Sequence, residues 1–275
     1  MRPLRTIAAL VLVALAGYAG YRLIIREMQP PIPAIVVRST DAHRLLSQSI
    51  AAHIDRLLHD RPPPLAQRAK NPRLVALTFD DGPYAVQTPL LLDVLGELHV
   101  PATFFLIGND AAEFPGLVRR IQRAGDEIAN HTQTHPADFD ALSDAEVKSE
   151  LDRGAATLEG IVHDPGIRTM MRPPHGRFTE ATVLTAQRDG YDVVLWNDDP
   201  GDWRPMTPAA IVDHIGRFAS APDIVLLHSG RQSTIDAIPA IVARFRAAGY
   251  SFVTAGQLLA RVPPGEILHP AKFRV

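Results

Sequence analysis

The chain has 275 residues, 46 % apolar and 21 % charged, a balance that belongs to a folded globular protein and excludes a disordered one. A formal net charge of −2 offers no pull on a polyanion, so nucleic acid is not an expected partner. Cysteine is absent, and with it disulfides, thiolate metal sites, a cysteine nucleophile and a lipoprotein-type anchor.

Arg2 and Arg5 precede an apolar run from Thr6 to Tyr21, and Arg22 interrupts it before Leu23, Ile24 and Ile25. A basic start followed by a greasy segment is an export signal. The run alone falls slightly short of a bilayer span of about 20 residues. With Leu23 to Ile25 included and Arg22 snorkelling, it is long enough. Residues 1–28 are expected to be a membrane anchor or a signal peptide cleaved near Ala14 and Ala16, the anchor being favoured. Residues 29–70 read as a proline-punctuated linker followed by a stalk helix. Ser39, Thr40 and Asp41 can cap that helix, and Leu45, Leu46, Ile50, Ile54, Leu57 and Leu58 share one face of it. Arg61-Pro62-Pro63-Pro64 ends it. The main domain is placed at 71–262, with a C-terminal tail at 263–275.

Within the main domain, strand-like runs at 74–79, 102–107, 127–130, 191–196, 223–228 and 251–254, and a short one near 169–172, alternate with helical segments. The helices are expected at 88–98, 114–124, 143–162, 180–189, 208–220 and 234–248, several closing on a glycine (Gly125, Gly190, Gly249). About seven β/α units suggest a distorted (β/α)7-8 barrel, closed or nearly so.

The first run, Leu74 to Phe79, reads as a strand buried on both faces. It ends in Asp80 and Asp81, two adjacent carboxylates, and then Gly82-Pro83. Chemistry in a parallel α/β fold is placed at such strand ends, although Asp-Asp-Gly-Pro is also a common solvated turn. After the third run, Asn130 is expected to cap a helical turn on which His131 and His135 lie one above the other and can share a metal. Two imidazoles and one carboxylate make a three-ligand set with open positions, as hydrolytic zinc requires. No Glu follows the first His, so the zincin metalloprotease motif is not met. Further strand ends carry Arg172-Pro173-Pro174-His175-Gly176, then Trp196 to Trp203, then Leu226-Leu227-His228. Asp198 reads as an Asx-turn residue.

The set TFDDGP (78–83), HTQTH (131–135), RPPHG (172–176), Asp-Pro-Gly-Asp-Trp (199–203) and LLH (226–228) resembles the five motifs of polysaccharide deacetylases, the NodB-homology or carbohydrate esterase family 4 group. The resemblance spans about Arg73 to Arg261. It implies that Asp81, His131 and His135 ligate one divalent metal, zinc first, with cobalt, nickel or manganese as alternatives. It implies that Asp80 is the general base, held and kept ionised by Arg172, and that His228 is the general acid, oriented by Asp202. It further implies that the backbone N–H of His175 stabilises the oxyanion and that Trp203, Leu226 and Pro174 border the substrate. The implied reaction removes N-acetyl groups from an amino-sugar polysaccharide of the cell envelope, so the partners are an acetylated glycan and, through residues 1–28, the membrane. No protein partner is inferred. Position 175 is usually aromatic in the family and here is His, and Asp126 stands where a histidine is often found. Alternatives are a catalytically silent glycan-binding protein of the same fold, an O-acetyl (xylan-type) esterase, and a non-haem iron oxygenase, since the same ligands suit Fe(II).

Overall fold

The computed structural model describes residues 36–37, 73–219 and 221–261. The expected anchor or signal, the stalk helix and the C-terminal tail lie outside the described residues. Among the described residues no helix is long and apolar enough to cross a membrane.

Every residue of the strand Leu74–Asp80 (β2) is buried, and its alternation builds two cores at once. Val75, Leu77 and Phe79 face the helices, while Leu74 and Ala76 join an interior cluster with Phe105, Ala129, Trp196 and Leu226. Side chains of this kind contribute about 1.5–3 kcal/mol each when fully buried. The other strands are β1 (Val36–Val37), β3 (Ala102–Leu106), β4 (Glu127–Asn130), β5 (Met170–Met171), β6 (Asp192–Val194), β7 (Asp223–His228) and β8 (Ser251–Phe252). They run in the order β1-β6-β5-β4-β3-β2-β7, with β8 on the first two residues of β2. All pairings are parallel except β1 on β6, an antiparallel pair formed inside what reads as linker in the sequence.

The curl is completed by irregular backbone. The N–H groups of Asn197 and Asp198 donate to the carbonyl of Ile224, and the N–H of Leu226 donates to the carbonyl of Asp198. This single bridge links the chain beyond β6 to β7 and produces the distorted barrel.

Eight α-helices are described: α1 (Gln87–Leu98), α2 (Gly108–Glu113), α3 (Pro115–Ala124), α4 (Asp144–Val162), α5 (Glu180–Arg188), α6 (Pro208–Phe218), α7 (Gln232–Ala247) and α8 (Ala255–Leu259). Six match the expected segments to within two residues. α2 and α8 have six and five residues, too few to display a helical period in sequence. Gly125, Gly190 and Gly249 take φ of 86°, 93° and 77°, the left-handed turn expected after each helix.

At the end where the strands begin, α8 seals the interior with Ala255, Leu258 and Leu259. Glu127 Oε2 accepts from Thr103 Oγ1 (2.8 Å) and from the Gly256 N–H (2.9 Å), while Thr103 Oγ1 accepts from the Ala255 N–H (2.8 Å). Asp126 accepts from the Ala102 N–H at 2.9 Å, and burial pushes its carboxyl up to about 6 against that bond. The unusual Asp126 therefore has a local structural role, pinning the start of β3 beside β4.

Candidate active site

The opposite end of the barrel gathers the charged side chains. β2 alternation aims Thr78 and Asp80 inward above the apolar interior, where they meet Arg172, a side chain with 0 % of its surface exposed. Arg172 Nη1 donates to Asp80 Oδ1 (2.6 Å) and to Thr78 Oγ1 (2.9 Å). Its Nε donates to the Val194 carbonyl (3.0 Å) and Nη2 to that of Leu195 (3.2 Å). The guanidinium rests 4.0 Å from the centroid of Phe105 and 5.6 Å from that of Trp196. Burial works against its charge and the adjacent Asp80 carboxylate supports it. A buried ion pair this fully hydrogen-bonded holds its carboxylate in one orientation.

Beside Asp80 stand three further donors. Oδ1 of Asp81 lies 3.7 Å from His131 Nε2 and 3.5 Å from His135 Nε2, and the ligating atoms of all three residues lie within 4.8 Å of one another. His131 Nδ1 is 2.8 Å from the Arg172 carbonyl, so Nδ1–H donates to it and Nε2 keeps its lone pair toward the cluster. Burial, then the charge of His131, push His135 down to about 4, with Asp81 opposing, so its imidazole is neutral at pH 7. One carboxylate oxygen and two imidazole nitrogens, so spaced, fit a divalent ion of the zinc type. Asp80 Oδ2 remains 3.7 Å from His131 Nε2, at the edge of this group.

The loop that carries the two histidines is not the helical turn expected from their spacing. Thr132 and His135 have φ of 70° and 54°, and side chains take the N–H groups that a helix would use internally. Glu150 Oε2 accepts from the N–H of Gln133 and of Thr134, Thr132 Oγ1 accepts from that of His135, and Asn130 Oδ1 accepts from that of Thr132. Asn130 thus makes an Asx turn rather than a helix cap. Its Nδ2 reaches the Leu151 carbonyl on α4, which can come close because residue 154 is glycine; a Cβ there would meet Asn130 Oδ1 at 2.6 Å.

On the far side, Asp202 is buried and fully engaged. Oδ1 lies 2.8 Å from His228 Nδ1, and Oδ2 accepts from the His228 N–H (2.9 Å) and Thr234 Oγ1 (2.6 Å). Burial opposes a charge on His228, but the hydrogen bond and charge of Asp202, then Asp80 and Asp81, outweigh it and raise the pKa to about 9. With Nδ1 occupied, Nε2 is the nitrogen left to deliver a proton.

The remaining expected residues divide between interior and rim. Leu226 is buried in the interior cluster, two residues before His228, and Pro174 is buried two residues after Arg172. Trp203 is 48 % exposed, its carbonyl accepting from Arg231 Nη2 (2.6 Å) and its ring lying 5.0 Å from the Arg204 guanidinium. His175 is exposed, with φ 56°, and its ring meets that of His135 edge-on at 4.4 Å. The Asx turn expected at Asp198 belongs to Asp199, whose Oδ1 accepts from the Gly201 N–H at 2.7 Å, because Asp198 is turned into the protein. Sequence reasoning did not single out Thr78, Glu150 or Thr234. Thr78 was findable as the inward neighbour two residues before Asp80; the other two sit on helices and carry no local signal.

Of the six non-glycine residues with left-handed backbone among those described, His99 and His163 end helices. The other four are Asp81, Thr132, His135 and His175, all at this site. Such conformations cost on the order of 1–3 kcal/mol each and persist where surrounding contacts over-determine them.

Residues 67–194 match the family model described as polysaccharide deacetylase. A peptidoglycan-N-acetylglucosamine deacetylase of Bacillus cereus is 38 % identical over 194 residues, covering 69 % of this chain and 89 % of the relative. Among solved structures, a family 4 carbohydrate esterase from Streptomyces lividans in complex with acetate is similar with a TM-score of 0.61 and 32 % identity over 66 % of this chain and 92 % of that one. A carbohydrate esterase family 4 pseudoenzyme from Bacillus anthracis is similar with a TM-score of 0.66 and 27 % identity, covering 72 % and 69 %. Identity of this extent, together with the shared curled parallel sheet, is decisive: the chain belongs to the polysaccharide deacetylase family, the NodB-homology group of carbohydrate esterase family 4.

Proposed function

We propose that the protein hydrolyses N-acetyl groups on an amino-sugar polysaccharide of the cell envelope, leaving a free amine and releasing acetate. The observation that carries this reading is the separation of roles between neighbouring aspartates: Arg172 holds Asp80 at 2.6 Å, while Asp81 turns to His131 and His135. Asp81, His131 and His135 would hold one divalent ion, zinc before cobalt, nickel or manganese, and the ion would polarise the acetyl carbonyl and acidify a water. Asp80, ionised beside Arg172, takes a proton from the attacking water as its oxygen bonds to the carbonyl carbon. The backbone N–H of His175 donates to the developing oxyanion. His228, protonated at Nε2 and aligned by Asp202, gives its proton to the amine nitrogen as the C–N bond breaks. Trp203, Leu226 and Pro174 border the bound sugar and its acetyl methyl. The basic, apolar start of the chain supports export and tethering to a membrane, which puts envelope glycan within reach.

A pseudoenzyme among the structural neighbours favours a second reading, glycan binding without turnover. The presence of base, ligand set and acid together argues for the first. The test is mass-spectrometric measurement of acetate release from N-acetylated peptidoglycan fragments and chitooligosaccharides, with O-acetylated xylan alongside. Release from an amino-sugar substrate supports the proposal; none from any amide substrate by metal-loaded protein overturns it.

A further inference from the structure

Two fully buried acids, Asp198 and Asp223, take no part in the mechanism above, and Asp198 is the one whose carboxyl oxygens lack a partner. Asp198, whose backbone makes the bridge to Val225, has 0 % of its surface exposed. Neither of its carboxyl oxygens has a hydrogen-bond partner. Nε2 of His214, on α6, also lacks one, and it lies 3.5 Å from Asp198 Oδ1. Burial, then the charges of Asp223 and Asp199, raise the Asp198 carboxyl well above the carboxylate range. Burial, then Arg217 and Arg204, push His214 down to about 4, so its ring is neutral. Phe218 lies against that ring at 4.6 Å between centroids.

An ionised Asp198 would be a buried charge with at most one neutral N–H near it, that of His214, and two like charges as neighbours, an arrangement that burial strongly disfavours. A neutral carboxyl has one O–H to give, and His214 Nε2, with the ring proton on Nδ1, is an acceptor without a partner. We propose that Asp198 is a carboxylic acid at neutral pH and donates its proton to Nε2 of His214, a neutral hydrogen bond that clasps the 196–203 segment to α6. At 3.5 Å the two atoms stand at the outer limit of a hydrogen bond, so the proposed bond requires them to approach.

The clasp acts on catalysis at a distance of four residues. Between Asp198 and Asp202 the chain makes only the turn closed by Asp199 and Gly201, and Asp202 fixes the ring and tautomer of His228. Asp198 is thus a positioning residue. Its effect on turnover rests on the deacetylase reading above, whereas its protonation does not.

Infrared difference spectroscopy between the wild type and Asp198→Asn at pH 7 tests the proton directly. A protonated-carboxyl C=O stretch present in the wild type and missing from the variant is expected; its absence from the wild type overturns the proposal. Kinetics test the positioning role. Asp198→Ala is expected to lower kcat on the order of tenfold with KM kept, and to move the alkaline limb of the pH profile down as His228 loosens. Asp198→Asn, whose amide can donate to the same nitrogen, is expected to restore both. An Asn variant as impaired as the Ala variant means that a charged carboxylate was needed, and an Ala variant with wild-type kcat and pH profile removes the positioning role; either overturns the inference. Should the Ala variant not fold, the infrared band and the Asn variant still decide. Should the wild type release no acetate from any substrate, the deacetylase reading fails and the infrared band alone decides the proton.

Discussion

The two ends of the barrel bury polar side chains for opposite purposes. Where the strands begin, polar groups chiefly answer backbone: Asp126 takes the N–H of Ala102, Glu127 that of Gly256, and Thr103 that of Ala255. Where the strands finish, charged groups answer one another: Arg172 holds Asp80, Asp202 holds His228, and Asp81 faces two imidazoles. Among the described residues, the non-glycine ones with left-handed backbone outside helix ends all lie at the second end. One end secures the shape; the other spends that security on strain and concentrated charge.

If this division is right, changes at the finishing end should cost turnover and changes at the beginning end should cost stability. The largest expected effect is from chelation: stripping divalent ions abolishes acetate release, re-adding them restores it, and the melting temperature falls with loss of the bound ion. Next, Asp80→Asn is expected to lower kcat by about 10²–10⁴ with metal content measured by mass spectrometry unchanged. A fully active variant would remove Asp80 from the role of base.

The alkaline side of the pH profile sharpens the comparison. In the proposed mechanism His228 acts protonated, and Asp202 raises its pKa to about 9, so kcat should hold through neutral pH and fall as pH rises through about 9. Asp202→Asn removes the bond and charge that raise it, moving that fall to lower pH; an unmoved limb would assign it to another group. Because the folded pKa lies above the ordinary 6.5, the stabilisation from this pair is complete below 6.5 and is lost as pH rises toward 9.

At the beginning end, Glu127→Ala leaves Thr103 and the Gly256 N–H without their acceptor. About 1–3 kcal/mol should be lost in denaturant unfolding with kcat unchanged. The smallest effect has the opposite sign. Asp126 is held at about 6, so ionising it in the folded state costs stability that develops as pH climbs from its ordinary 3.8 to 6 and is complete above. Asp126→Asn keeps the acceptor for Ala102 and should raise the melting temperature at pH 7 but not below pH 4.

The strand ends were legible because burial on both faces and an abrupt change from apolar to charged residues are local facts. Leu74 to Asp80 followed by Gly82-Pro83 announces both a buried strand and its stop. The loop from His131 to His135 was misread as helical because spacing alone cannot register Glu150, which reaches from α4 to take the N–H groups of Gln133 and Thr134. Asp198 and Asp199 are adjacent and identical in type; only the bridge to Val225 turns one inward and leaves the other to make the turn.

Composition, alternation and five short motifs were enough to determine the class of fold, the order of its elements and the residues that could meet, since each depends on neighbours in the chain. What the tertiary structure decided is which of them do meet and in what state of charge. Arg172 on Asp80, Asp202 on His228 and the bridge from Asp198 to Val225 are relations across 92, 26 and 27 residues of chain. Burial and charge act through space, so those relations exist only once the sheet has curled.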